Sequence, residues 1–123
     1  MGVTSRYLFV IIVLLFLCKC KSENNKISEL LRSTQKDDII YGAFLASNSN
    51  NEDFVPLLLK DANDIRSTTM LKFKGKSVYQ EKMIALKKIY KISPPRKITM
   101  DPDSVIINYY DSIYISKLNE KTP

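Results

Sequence analysis

An all-α chain is predicted by three observations. Apolar residues recur at three- and four-residue spacing in five separate segments, capping residues and acid pairs stand where those segments begin, and strand-like alternation is confined to one short stretch. The expected architecture is short stacked helical hairpins, about five helices, preceded by an N-terminal apolar signal helix. At 123 residues the chain is one domain at most.

The apolar helix comes first. Tyr7 to Leu17 carries no charge, follows Arg6 and stops before Lys19. Its length is that of a signal-peptide core of roughly 7–15 residues and falls short of the roughly 18 that a membrane-spanning helix needs. Residues 1–20 are therefore expected to be a signal segment that sends the chain to the cell envelope or out of the cell, a retained anchor being the second choice. The only cysteines, Cys18 and Cys20, end this run, so a disulfide framework is excluded. A short apolar stretch closing on cysteine and followed by Lys21-Ser22-Glu23-Asn24-Asn25-Lys26 resembles a bacterial lipoprotein signal. That resemblance implies lipidation at Cys18 or Cys20 and contact with the membrane through the N-terminus; an ordinary cleaved signal is the alternative.

Residues 21–26 are polar and read as a tether to a helical domain over 27–119, with 120–123 a frayed tail. Ile27, Leu30 and Leu31 mark a first short helix. Asp37-Asp38 opens a second through Ala46, where the paired acids favour the positive end of the helix dipole. Gly42 inside it costs about 1 kcal/mol relative to alanine, a cost that a closely approaching helix would explain. Ser47 to Asn51 reads as a turn, with Asn51 capping a helix that starts at Glu52-Asp53, takes Pro56 near its beginning and ends near Lys60. Residues 65–76 suit an extended or irregular connector in which Leu71 and Phe73 pack down while Lys72, Lys74 and Lys76 point into water. Ser77 caps an amphipathic helix to about Lys91, stopped by Pro94-Pro95. Asp101-Pro102-Asp103, with proline in the first turn, starts a terminal helix through Leu118.

Two segments look like copies of one unit. LLRSTQKDDIIYGAFLA followed by NNEDFVPLLL, then KDANDIR and SVYQEKMIALKKI, resemble HEAT-type helical repeats over residues 28 to about 92, with 67–76 as an insertion. The resemblance implies stacked helix pairs, each covering the apolar stripe of its neighbour, and a surface for protein recognition.

Charge sharpens that expectation. Residues 60–97 hold eleven basic residues against Asp61, Asp64 and Glu81, a net of +8. The contact surface is expected in this basic middle, on Arg66, Lys72, Phe73, Lys74, Lys76, Lys87, Lys88 and Lys91. Acidic proteins and anionic headgroups fit such a surface; nucleic acid is disfavoured, since no reading module accompanies the charge. Chemistry is sparse. Without histidine, and without cysteine beyond position 20, histidine triads and thiolate catalysis in the body have no residues, and no metal or cofactor set is expected. Gly75-Lys76-Ser77 mimics the end of a phosphate loop, but Met70 occupies the position of the first glycine. The acid pairs stand at helix starts, where they already have a structural use. The reading is a protein-binding module and no enzyme. The alternatives are an immunity or inhibitor protein against a toxin or enzyme, and a small envelope enzyme built on carboxylates.

Overall fold

Five α-helices and two short 3₁₀ turns make up the regular structure of the computed structural model, and no strand occurs among the described residues. The backbone of residues 2–122 is described, together with the side chains of residues 6–13 and 23–122; Cys18 and Cys20, the expected lipidation positions, lie outside the described side chains. The helices are α1 (Gly2–Arg32), α2 (Lys36–Ser49), α3 (Val55–Leu59, entered through a 3₁₀ turn at Glu52–Phe54), α4 (Val78–Tyr90) and α5 (Ser104–Lys121).

α1 joins two stretches that the sequence separates. The polar residues 21–26 are helical, so the backbone runs without a break from the apolar stretch into Ile27–Arg32. Tyr7 to Val13 are exposed and touch no core, whereas Ile27 and Leu31 are buried. Among the described residues no helix is long and apolar enough to cross a membrane. The close neighbour expected at Gly42 is α1: a Cβ placed there would lie 2.9 Å from Leu30 Cβ and 3.1 Å from the Leu31 backbone nitrogen. Glycine is what lets the two helices approach so far, and the contact offsets its low helix propensity.

α2 runs past Ala46 to Ser49, and within this last turn Ser47 and Ser49 donate their hydroxyls to the carbonyls of Phe44 and Ala46, both at 2.6 Å. Asn50 then ends it in the left-handed conformation, a role asparagine fills well. Asn51 accepts from the Asp53 N–H at 2.9 Å, the cap the sequence predicts, and Pro56 falls in the first turn of α3. α4 is the centre of the packing: Tyr79, Met83 and Leu86 are fully buried, and α2 lies along it. Ser77 caps it by accepting from the Gln80 N–H at 3.0 Å.

Two expectations are corrected at α5. Pro102 precedes the helix instead of entering its first turn, since Asp103 is the cap and accepts from the Val105 N–H at 2.9 Å. The helix also continues to Lys121, through residues expected to fray. Tyr110 anchors it, fully buried, stacked on Tyr90 with ring centroids 6.3 Å apart and donating its hydroxyl to the Ile92 carbonyl at 2.8 Å.

Candidate partner-binding surface

The basic middle of the sequence divides between the two ends of α4. That helix is thirteen residues long, so the groups lie about 20 Å apart at roughly 1.5 Å per residue. Arg66, Lys72, Phe73, Lys74 and Lys76 gather at the N-terminal end, and Lys87, Lys88 and Lys91 at the other.

At the N-terminal end the chain closes a loop. The segment 64–68 runs antiparallel to 76–79: the Val78 N–H donates to the Arg66 carbonyl at 2.9 Å, Tyr79 N–H to Asp64 at 2.9 Å and Thr68 N–H to Lys76 at 3.1 Å. Between these ties a 3₁₀ turn covers Leu71–Phe73, in place of the extended run that alternation suggested, followed by Lys74 and Gly75 at positive φ. The change of backbone changes which side chains face inward. Phe73 is buried at 2% exposure among Ile39, Ile40 and Val78, as expected, while Leu71, expected to pack beside it, is 95% exposed. A strand would put residues 71 and 73 on one face; a 3₁₀ turn of three residues does not.

Most cations here are committed internally. Arg66 grips both oxygens of Asp64, at 2.7 Å to Oδ2 and 3.0 Å to Oδ1, and donates to the Thr34 carbonyl at 2.9 Å. That hydrogen-bonded guanidinium holds the Asp64 carboxyl below the usual carboxylate range. Lys76 stands 3.5 Å from Glu81, a carboxylate only 1% exposed. Lys72 lies over aromatic rings, and Lys74 is exposed. Lys82, which the sequence did not distinguish from its neighbours, is 3% exposed and donates to the Lys60 carbonyl at 2.6 Å. Burial pushes its ammonium below the usual lysine range, with Asp61 and Asp64 pulling the other way.

The C-terminal end is built differently. Lys91 closes α4 in the left-handed conformation, and Pro94-Pro95 prevents helix from resuming. The strand-like connector that follows is pinned at both ends, at Ile92 by the Tyr110 hydroxyl and at Met100 by the Ser77 hydroxyl, which donates at 2.7 Å. Those pins sit at opposite ends of α4, so residues 92–100 double back along it. Between helix and connector lies a groove of about 870 Å³ whose floor includes Ile84, Ile92, Pro94, Pro95 and Ile98 and whose charges are Lys87, Lys88, Lys91, Arg96 and Lys97. No carboxylate lines it; Asp103 reaches only Arg96, at 3.5 Å.

The structure thus brings Lys87, Lys88 and Lys91 together around one concavity and adds Arg96 and Lys97, which fall within the expected basic stretch but carried no individual assignment. The turn chemistry of Pro94-Pro95 hinted that the chain reverses there. What it could not show is that the reversal lays Arg96 and Lys97 against α4, since that depends on Ser77 and Tyr110 binding carbonyls 23 and 18 residues away. The acid pairs stay apart: Asp38 accepts from Ser33 at 2.8 Å, Glu52 pairs with Lys117 at 2.9 Å and Asp103 caps α5. No protein-family model matches the chain, and comparison with curated proteins and with solved structures returned no match.

Proposed function

We propose that this chain is a small helical binding module that takes an acidic segment of a partner protein in the groove between α4 and residues 92–98. The observation that carries the reading is the combination of five cations, no lining carboxylate and an apolar floor in one concavity. Cations steer an acidic partner and set its register, while the isoleucines and prolines supply the area from which most binding free energy comes.

The N-terminal stretch belongs to the same reading. Tyr7 to Val13 expose large apolar side chains that none of the described residues covers, a state that water disfavours and that passage into or through a membrane resolves. On this reading the module works at the cell envelope, held by lipidation of Cys18 or Cys20, or is released after removal of the segment. HEAT-like stacking is supported by α2 lying along α4, as corresponding helices of neighbouring units would.

The test is capture of envelope proteins by the intact chain and by two charge-reversed variants. The triple Lys87→Glu, Lys88→Glu and Lys91→Glu abolishes capture of the specific partner; the double Lys72→Glu with Lys74→Glu, which spares the ion pair of Lys76 with buried Glu81, leaves it. Capture that survives the triple and fails with the double moves the contact to the other end of α4 and refutes the groove.

A further inference from the structure

Lys72 is an exposed lysine without an acidic partner: among the described residues it forms no ion pair. Its ammonium lies instead 5.1 Å from the centroid of Phe44, 5.3 Å from that of Tyr41 and 5.8 Å from that of Phe73. The rings are tilted against one another, Phe44 to Phe73 at 65° and Tyr41 to Phe73 at 52°, so they meet the ammonium from different directions and do not form a flat stack. The cluster is held from the core side. Tyr41 and Phe44 are three residues apart on α2 and so share a face, and Phe73 is locked by Ile39, Ile40 and Val78.

We propose that Tyr41, Phe44 and Phe73 form a binding site for a quaternary ammonium group of the choline type, which Lys72 occupies as a resident stand-in. Three aromatic faces converging on one positive charge are the arrangement that recognises such cations. A primary ammonium is a poor permanent occupant, because it is strongly hydrated and has three N–H groups that rings satisfy weakly. A trimethylated nitrogen has no N–H group to satisfy and presents apolar methyls to the rings. Lys72 can leave without moving Phe73, since its four-carbon stem turns freely outside the core. A second cation, Lys26, lies 6.0 Å from the outer ring, Tyr41, where it is placed to meet the phosphate of a phosphocholine. The site lies at the other end of α4 from the basic groove and is independent of it.

Choline is titrated into the full chain in maltoside micelles, which contribute no cation, with binding read by calorimetry and by the ring resonances of Tyr41. The expected result is saturable binding to the wild type that tightens about two- to fivefold in Lys72→Ala, the factor corresponding to the roughly 0.5–1 kcal/mol of an exposed cation–ring contact. Tyr41→Leu and Phe44→Leu each weaken binding, with circular dichroism confirming that the helices remain. The neutral isostere 3,3-dimethylbutan-1-ol does not bind. Phosphocholine and a short-chain phosphatidylcholine below its micelle concentration then separate the free headgroup from a lipid source, and loss of ring dependence with both overturns the site. Equal choline binding by wild type and Lys72→Ala, absence of binding in both, or equal binding of the neutral isostere also overturns it.

Discussion

Gly42 shows how much a single residue decides here. Adding one methyl group improves local helix propensity by about 1 kcal/mol, yet it would force Leu30 Cβ and the Leu31 backbone apart from a 2.9–3.1 Å approach. Overpacking of this kind costs about 1–3 kcal/mol, so Gly42→Ala is expected to lower the urea midpoint despite its propensity gain; an unchanged or raised midpoint would mean the helices sit less closely. Glu81 poses the opposite problem. Its Oε2 is buried without a hydrogen-bond partner, and only Lys76 at 3.5 Å offsets the charge. Lys76→Met removes that offset and should destabilise the fold by about 1–3 kcal/mol, whereas the double change Lys76→Met with Glu81→Met recovers most of the loss, because a buried pair exchanged for apolar groups is often neutral. Thermal denaturation of the three proteins separates these outcomes. The tyrosines add a pH dependence. Burial pushes Tyr90 up to about 12 and raises Tyr110 further above the ordinary value near 10. In both, the folded state holds its proton more tightly, so the stabilisation is complete below pH 10 and is lost as the pH rises through the folded-state values. Lys82, with its ammonium shifted downward, acts in the opposite direction, whereas Tyr79, raised by burial as well, acts with the other two tyrosines toward alkaline unfolding. Tyr90→Phe should flatten the loss of stability above pH 10 while leaving neutral-pH stability nearly unchanged.

At the scale of elements, the loop over 67–77 separates what sequence makes legible from what it does not. Gly75 as a turn, Ser77 as a cap and Phe73 as an inward residue are local choices, and the structure bears them out. Leu71 is different. Alternation with Phe73 placed it inside, and only the 3₁₀ backbone, closed by the ties of Asp64 and Arg66 to α4 and of Thr68 to Lys76, turns it out. Phe73→Ala is therefore expected to cost about 3–5 kcal/mol, whereas Leu71→Ser should stay within about 0.5 kcal/mol of the parent. If Leu71→Ser proves as damaging as Phe73→Ala, the extended reading was the better one. The helices were legible because caps and acid pairs are also local; α2 runs past Ala46 through serines whose hydroxyls bond back to its own carbonyls, and α5 begins after Pro102 because its cap is Asp103. The groove was half legible: its charges could be counted in the sequence, but their convergence depends on Tyr110 and Ser77 reaching distant carbonyls.

Over the whole molecule, the core accounts for residues from Ile27 to Tyr110 and, among the described residues, takes in none of Tyr7 to Val13. Deleting residues 2–13 should therefore leave the unfolding midpoint of the domain unchanged and raise its solubility, as measured by denaturation and by light scattering. A large drop in midpoint would mean that the apolar stretch packs on the domain. The unbroken course of α1 has a mechanical consequence. With the apolar end held in a bilayer, the helix is a stiff strut: the fourteen residues from Val13 to Ile27 correspond to about 21 Å of standoff. Because Leu30 and Leu31 interlock with Gly42, the strut also fixes the azimuth of the domain, so groove and aromatic cluster would each face one set direction relative to the surface beneath. Force applied at the anchor would arrive first at the seam between α1 and α2, and that seam would be the fuse of the molecule.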